Sequence, residues 1–260
     1  MHFFEEELRS QLNQESFVKK IICVNETDST NALAKREKDN PSATVFVSKK
    51  QTNGRGRTGK VWNSDDENAL YMSILIKPKL SPEKISNLTL VFGLAVFNAL
   101  KNYADVFIKW PNDIILNNKK VSGIMCEMSV INDMIDYVVC GVGVNINNDD
   151  FPDEIKNVAT SLKLETGRTF MISEIAAEIL DEFDTLYNEF SVNGLENIIN
   201  HYRENCITLS KEVKVIINSK EVIAYALDIT DDGGLLVRTD DGDKIIKSGE
   251  ASVRGINGYV

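Results

Sequence analysis

The chain is poor in the residues from which many hydrolytic and metal-dependent sites are built. Its 260 residues include two histidines, His2 at the start and His201 in a polar stretch. The four cysteines lie far apart and include no CxxC pair. These shortages argue against a zinc centre and against a histidine-based triad, and they favour reduced thiols.

Long apolar runs and a leader pattern are also missing. The first residues carry acids where a signal peptide carries positive charge, and no apolar run approaches the length that spans a bilayer. We therefore expect a cytoplasmic protein with no membrane partner. The formal net charge of -10 argues against nonspecific binding to nucleic acid, so no DNA partner is expected.

A basic, glycine-rich segment from Lys50 to Trp62 is the most informative part of the chain. It approaches two phosphate-binding patterns, GxxxxGK and GxGxxG, but Val61 stands where the first requires Ser or Thr. Both patterns also need a helix to begin at the glycines, whereas residues 69–77 are typical of a strand. The segment thus predicts a mobile loop that binds an anion through Arg55 and Arg57. The alternative is a solvated basic surface loop.

Hydrophobic spacing predicts an α+β fold of one or two domains. Residues 114–146 are typical of an antiparallel meander, with turns at Asn117–Asn118 and Asn132–Asp133. After residue 207, short strands separated by turn formers predict a small antiparallel barrel, so we place the domains at 1–205 and 206–260. The remaining predicted elements are strands over 21–24, 44–48, 69–77 and 106–110, and helices over about 28–38, 82–103 (amphipathic), 173–190 (capped by Ser173) and 195–205.

Two further clusters contain polar or glycine residues at strand ends. The first is KWPND, from Lys109 to Asp113, which is also compatible with a simple turn between strands. The second is GVGVNIN, from Gly141 to Asn147, which is also compatible with close approach of neighbouring chain segments. Neither cluster is decisive alone.

Together, in this order and spacing, these clusters resemble the biotin protein ligases. The resemblance implies a mixed sheet with helices, as in the class II synthetase-like catalytic domain, followed by a C-terminal SH3-like barrel. About 20 residues precede the first predicted strand, so a monofunctional type without an N-terminal DNA-binding domain is expected. The matching segments are DSTN at 28–31, the basic loop at 50–62, KWPND, KKVSGIMCE at 119–127, GVGVNI, ATSL at 159–162 and GEASVRG at 249–255.

The resemblance also assigns a biotin site. In it the neutral ureido head of biotin bonds to Ser29, Thr30 and Gln51, because an uncharged ligand group needs a few fixed polar partners. The role of Trp62, whether structural or ligand-contacting, stays open at this point. Arg55, Arg57 and Lys120 are the expected catalytic residues. The full expected biotin site is Ser29, Thr30, Asn31, Gln51, Gly54, Arg55, Gly56, Arg57, Lys120 and Gly123.

The second substrate implied by the resemblance is ATP, with Mg²⁺ and without a tightly bound prosthetic group. Asp113 and Asn145 are the expected magnesium ligands, since Mg²⁺ prefers hard oxygen donors. One departure is Lys60, where the family often has a second arginine, so a bidentate contact there becomes a point-charge contact. The expected ATP site is Lys109, Asn112, Asp113, Asn145, Glu250 and Arg254.

The implied reaction joins biotin to a lysine of a biotin carboxyl carrier domain through biotinyl-5'-AMP. A lipoate protein ligase, which uses the same adenylate chemistry, is the nearest alternative. A biotin-responsive regulator and a pure biotin-binding module are two others. Homodimers are common in the family, and the sequence leaves the oligomeric state open.

Overall fold

The computed structural model describes residues 2–217, 220–249, 251–256 and 259. Two β-sheets and a layer of helices account for most of these residues. In chain order the elements are α1 (His2–Gln11), β1 (Lys20–Thr27), α2 (Thr30–Arg36), β2 (Thr44–Gln51), a 3₁₀ turn (Arg57–Gly59), β3 (Leu70–Ile76), α3 (Pro82–Ile85), α4 (Leu88–Leu100), β4 (Val106–Lys109), β5 (Asp113–Leu116), β6 (Lys119–Ile131), β7 (Met134–Val144), α5 (Leu162–Thr166), α6 (Ile172–Asn193), α7 (Ile199–Glu204), β8 (Glu212–Ile217), β9 (Lys220–Ile229), β10 (Leu235–Thr239), β11 (Gly242–Ile246) and β12 (Ala251–Gly255).

The larger sheet has seven strands in the order β1-β2-β3-β7-β6-β5-β4. β1 and β2 are parallel, with α2 between them in the chain, and the other neighbours are antiparallel. Successive side chains of β2 point to opposite faces of the sheet. Val45 and Val47 lie in the main core with α4 and α6, whereas Phe46 packs with Ala34 of α2 in a second core. The predicted α+β fold with a mixed sheet is confirmed.

The helix predicted over residues 82–103 is wrong in two respects. The structure divides it into α3 and α4, with Asn87 as the capping residue of α4, whose carbonyl accepts the backbone N–H groups of Leu90 and Val91. In addition, every residue of α4 except Thr89 is buried, so no polar face exists. α4 packs against both α6 and the sheet, and an all-round apolar surface suits a helix enclosed in this way.

The predicted start of α6 is also corrected. The capping position is Met171, and Ser173 lies buried within the first turn, where its hydroxyl has no hydrogen-bond partner in the described part of the chain. The helix begins earlier because the amide of Asn147 holds the backbone of Phe170, donating to its carbonyl over 2.8 Å and accepting from its N–H over 2.9 Å.

Two other helix predictions differ from the structure. The helix expected over 195–205 is shortened to α7, since residues 194–198 form turns after Gly194, whose φ is +67°. α1 was not predicted. It packs on α6 and β1 through buried Leu8, a contact distant in sequence that local pattern does not reveal.

The meander prediction is confirmed in detail. β5, β6 and β7 are successive antiparallel neighbours. Asn117 and Asn118 have φ values of 52° and 62°, and Asn132 and Asp133 have 51° and 60°. Positive φ at both central residues is typical of the two-residue turn of a β-hairpin, because the twist of that turn matches the twist of the flanking strands. After glycine, Asn and Asp tolerate positive φ best.

The C-terminal sheet has five antiparallel strands in the order β11-β10-β9-β8-β12. This agrees with an SH3-like unit, but no pairing of β11 with β12 closes it into the predicted barrel within the described residues. The domain boundary near Cys206 stays a prediction. Among the described residues, no helix combines the length and apolarity needed to cross a membrane.

Candidate active site

A cavity of about 290 Å³ lies between the larger sheet, the basic loop and the end of β12. It is lined by every predicted site residue that the structure describes, with the exception of Gly54. Glu250 lies outside the described residues. Segments that are separated by more than 200 positions in the chain therefore meet around one space.

One end of the cavity is neutral and rich in hydrogen-bonding groups. Ser29 caps α2 by accepting the N–H of Ala32 over 3.1 Å. The next residue, Thr30, donates its backbone N–H to Gln51 Oε1 over 2.7 Å, and its hydroxyl lies 3.3 Å from the same oxygen. Ser29 and Thr30 are both buried, so their polar groups are fixed in orientation.

A fully buried serine extends this neutral end into the sheet. Ser73 Oγ lies 2.7 Å from Thr30 Oγ1 and 2.7 Å from Asn31 Oδ1. The amide nitrogen of Asn31 donates to Met125 O over 3.2 Å and to Glu127 Oε2 over 2.9 Å. Ser73 thus joins the residues of α2 to β3, and Asn31 joins them to β6.

Gln51 connects the same network to the basic loop. Its amide nitrogen donates to Ser64 Oγ over 2.9 Å, and that hydroxyl donates to Trp62 O over 2.9 Å. Gly54 lies beneath this contact, where a Cβ would come within 2.3 Å of Ser64 Oγ and 2.4 Å of Trp62 O. Gly54 is therefore needed for close packing at the base of the loop, although it does not line the cavity.

The basic loop closes on itself without an α-helix, as predicted. Arg55 and Val61 form an isolated antiparallel bridge, and Gly56 N donates to Lys60 O over 2.7 Å. The intervening 3₁₀ turn ends at Gly59, whose φ of +75° favours glycine. The predicted mobility of this loop stays a prediction.

Arg57 reaches from the loop to two other parts of the molecule. Its guanidinium donates to Asn112 Oδ1 over 2.9 Å, to the backbone carbonyl of Ser248, and to Ala251 O over 3.4 Å. Burial lowers the pKa of Arg57 from its ordinary value. Arg57 therefore links the loop, the KWPND turn and the C-terminal sheet.

The KWPND segment is a tight connection between β4 and β5 that sets Lys109 directly opposite Asp113. Lys109 Nζ lies 3.9 Å from Asp113 Oδ2 and donates to Val253 O over 2.9 Å. Lys109 is 4% exposed, and burial lowers its pKa to about 8. Burial alone would raise the Asp113 pKa, but the charges of Lys120 and Lys109 outweigh it and hold that pKa below its usual value.

Lys120 and Trp62 lie against the glycines of the meander. Lys120 Nζ lies 2.5 Å from Asp113 Oδ1 and 5.2 Å from the ring of Trp62. A Cβ at Gly143 would come within 2.5 Å of Trp62 Nε1, and one at Gly123 within 2.8 Å of Lys120 Cε. Both glycines therefore make room for these side chains. Trp62 Nε1 is buried and has no hydrogen-bond partner among the described residues, so a donor remains for a ligand.

The charged end of the cavity is strongly cationic. Lys60 and Arg254 also line it, and each lowers the pKa of Lys109 after the larger effect of burial. Asp113 is the one carboxylate among the described lining residues. A cavity with this charge balance is suited to a polyanion.

The expected magnesium ligands fit a metal only together with an anionic ligand. No group of three or more His, Cys, Asp or Glu side chains suited to a metal occurs in the described residues. Asn145 donates its amide nitrogen to Thr160 O over 3.0 Å, which leaves its oxygen as a metal donor, and Asp113 supplies the carboxylate. These two oxygens suit a Mg²⁺ ion that arrives with phosphate, since Mg²⁺ is commonly held by one or two carboxylates plus substrate phosphates.

The polar residues of this region that sequence reasoning missed include Ser64, Ser73 and Tyr259. Ser73 is the lone polar residue inside the apolar run ALYMSILI, and that contrast was an available signal. Tyr259 lines the cavity, and its hydroxyl donates to Asp113 Oδ2 over 2.5 Å. It lies outside any strand or helix, so pattern offered no signal for it.

Two family models match parts of this chain. The family model described as Biotin/lipoate A/B protein ligase family matches residues 22–145. The model described as Biotin protein ligase C terminal domain matches residues 208–254. These two matches define the fold as that of a ligase of this class.

Individual relatives and a solved structure are similar to this chain over most of its length. The bifunctional ligase/repressor BirA of Bacillus spizizenii is 33% identical over 252 residues, which cover 95% of this chain and 78% of the relative. The biotin--[acetyl-CoA-carboxylase] ligase of Mycobacterium tuberculosis is 28% identical, with 95% and 94% covered. The Aquifex aeolicus biotin protein ligase, solved with biotin and ATP, superposes with a TM-score of 0.80 at 32% identity, covering 91% of this chain and 99% of the other. The chain belongs to the biotin protein ligase family.

Proposed function

We propose that this chain uses ATP to join biotin to a lysine of a biotin carboxyl carrier domain, through biotinyl-5'-AMP. The observation that carries this proposal is the division of one cavity into a neutral end and a cationic end. Ser29, Thr30 and Gln51 line the first, and Lys109 and Lys120 line the second. Biotin has the same division, since it carries a neutral ureido ring and a carboxylate.

At the neutral end, the ureido ring takes up the hydrogen bonds of Ser29, Thr30 and Gln51. Asn31 supports them through the Ser73 hydroxyl rather than by reaching the ring. Gly123 and Gly56 give backbone access to the biotin chain. Trp62, with its unpartnered indole N–H, is assigned to the ligand rather than to structure alone.

In the first step, an oxygen of the biotin carboxylate attacks the α-phosphorus of ATP, and pyrophosphate leaves. Both reactants are anionic, so their approach is opposed by charge repulsion. Arg55, Arg57 and Lys120 offset this repulsion and orient the two groups, which is catalysis by positioning and preorganised electrostatics. No covalent enzyme intermediate is needed.

The nucleotide is assigned to the cationic end of the cavity. Lys109, Asn112 and Arg254 face its phosphates. Glu250 remains a residue of the ATP site, as the family resemblance predicts. When bound with ATP, Mg²⁺ supplies charge neutralisation of the phosphates, and Asp113 and Asn145 are the residues that would hold it.

In the second step, the amine of a carrier lysine attacks the acyl carbon of the adenylate and releases AMP. The basic loop shields the adenylate from water between the steps, since a mixed anhydride hydrolyses readily when exposed. The four free cysteines and the dependence on ATP support a cytoplasmic location. A homodimer stays a prediction from the family resemblance.

The lipoate alternative fits the cavity less well. Lipoate has no ureido group, so Ser29, Thr30 and Gln51 would face an apolar ring. These buried polar groups would then lack hydrogen-bond partners in the ligand, which weakens binding. A pyrophosphate exchange assay with biotin and with lipoate as separate acids tests this choice. We expect exchange with biotin, and a mass gain on one lysine when a carrier domain is added. Exchange with lipoate alone, or binding of biotin without ATP consumption, would contradict the proposal.

A further inference from the structure

Tyr259 reaches the cationic end of the cavity from beyond the last strand of the C-terminal sheet. Its hydroxyl donates to Asp113 Oδ2 over 2.5 Å, and its ring centroid lies 4.1 Å from Lys109 Nζ. One side chain therefore contacts both members of the Lys109–Asp113 pair.

The two contacts use different parts of tyrosine. The face of an aromatic ring attracts a cation, and this attraction strengthens when both groups are withdrawn from water, as Lys109 is. The Tyr259 hydroxyl is the donor in the contact with Asp113, because an ionised carboxylate can only accept hydrogen bonds. Phenylalanine at this position would keep the ring contact and lose the hydrogen bond, whereas alanine would lose both.

The Lys109–Asp113 pair depends on Tyr259 because the direct contact between the two charged groups is long. Lys109 Nζ and Asp113 Oδ2 are 3.9 Å apart, beyond hydrogen-bond distance. Lys120 holds the other carboxylate oxygen, Oδ1, at 2.5 Å. Tyr259 makes the short contact to Oδ2, and so sets the rotation of the Asp113 carboxylate.

We propose that Tyr259 is a positioning residue for the nucleotide, which fixes Asp113 and Lys109 in the orientation that receives the ATP phosphates. This inference rests on the proposed function. Groups that are already oriented lose less conformational freedom when the ligand binds, so preorganisation appears as tighter binding of ATP. The ureido end of the cavity has its own network through Gln51, and the contacts of Tyr259 do not include that network.

The test compares wild type, Tyr259→Phe and Tyr259→Ala by calorimetric titration with ATP and, separately, with biotin. We expect Tyr259→Phe to raise the dissociation constant for ATP about three- to tenfold, because a hydrogen bond to a charged group is lost. Tyr259→Ala adds a further loss of about two- to fivefold through the ring contact. The dissociation constant for biotin should stay within about twofold in both variants, since the ureido partners are untouched.

Matched controls are Tyr225→Phe and Tyr225→Ala, because Tyr225 is an exposed tyrosine on β9 of the same C-terminal sheet. Thermal unfolding of every variant separates a positioning role from a folding defect, and the Phe variant is decisive if the Ala variant is unstable. The KM values for ATP and biotin in pyrophosphate exchange should show the same selective change.

Two results would overturn the inference. Unchanged ATP binding in both Tyr259 variants would show that the contact has no role in binding, and tighter binding would show that Tyr259 obstructs the site. A wild-type protein that binds ATP but does not exchange pyrophosphate with biotin would instead refute the proposed function, and the ATP titrations would still test Tyr259.

Discussion

The side-chain oxygen of Asn31 fills the space that a β-carbon on residue 141 would need. A Cβ built on Gly141 would lie 2.1 Å from Asn31 Oδ1 and 2.9 Å from its Cγ. Asn31 cannot withdraw without losing its hydrogen bonds to Ser73 and Glu127. The glycine at this position is therefore explained by a neighbouring side chain rather than by an unusual backbone angle.

We expect Gly141→Ala to displace Asn31 and to weaken biotin binding by at least about tenfold, together with a loss of stability of about 1–3 kcal/mol from overpacking. Denaturant unfolding and biotin titration measure the two effects. Gly93→Ala is the matched control, because the nearest atom to its added Cβ is Pro111 O at 3.9 Å. That variant should keep biotin affinity and gain helix stability of up to about 1 kcal/mol. Equal behaviour of the two variants would contradict the steric argument.

Ser73→Ala should reduce stability by about 1–3 kcal/mol, because Thr30 and Asn31 each lose a buried hydrogen-bond partner. The same change should raise the KM for biotin and leave the KM for ATP unchanged, since Ser73 contacts only the neutral end. Steady-state kinetics with each substrate varied in turn distinguishes these outcomes. Ser86→Ala, which removes an exposed hydroxyl bonded to Glu83 O, serves as the control. A rise in the KM for ATP would place Ser73 in a different role.

Arg57→Gly should release the adenylate before transfer and increase labelling of bystander proteins by at least about tenfold, because an unshielded mixed anhydride reacts with any exposed lysine. The structural reason is that Arg57 joins the loop to Asn112 and to the backbone carbonyls of Ser248 and Ala251, and glycine removes these contacts. Mass spectrometry of a mixture of carrier domain and an unrelated protein measures the selectivity.

The control for that variant is Arg238→Gly, which breaks the exposed ion pair with Asp243 in the C-terminal sheet. It should label the carrier domain alone. Retained selectivity in Arg57→Gly would count against the shielding role of the loop.

Asn118→Gly should stabilise the β5–β6 hairpin by up to about 1 kcal/mol, because glycine adopts positive φ at lower cost than asparagine. Asn118 has a φ of 62°, and the preceding Asn117 keeps its hydrogen bond to Glu165 Oε2. The midpoint of denaturant unfolding reports the change. Asn118→Val, with a β-branched side chain at the same φ, should move the midpoint in the opposite direction.

Local chemistry is what made parts of this structure predictable. Asn117–Asn118 and Asn132–Asp133 mark their own turns, since each pair is suited to the backbone angles found there. The same holds for the KWPND segment, whose turn residues set Lys109 opposite Asp113. In these places the residues that decide the conformation are adjacent in the chain.

The missed features depend on contacts between distant segments. Ser73 belongs to the site because it contacts α2. Tyr259 belongs to the site because its hydroxyl bonds to Asp113, which lies 146 positions earlier in the chain. The amphipathic pattern assigned to α4 failed for the same reason, because the second face is covered by α6. Periodicity along one segment cannot report which other segments will cover it.

Arg57 and Lys109 both attach to the C-terminal sheet through main-chain carbonyls, at Ser248, Ala251 and Val253. Every amino acid carries such a carbonyl, so these hydrogen bonds do not depend on which side chain the accepting residue has. Substitution at these positions therefore keeps the hydrogen bonds, and the constraint on Ala251 and Val253 comes instead from their burial in the core, whereas a change of either basic donor removes its bonds altogether.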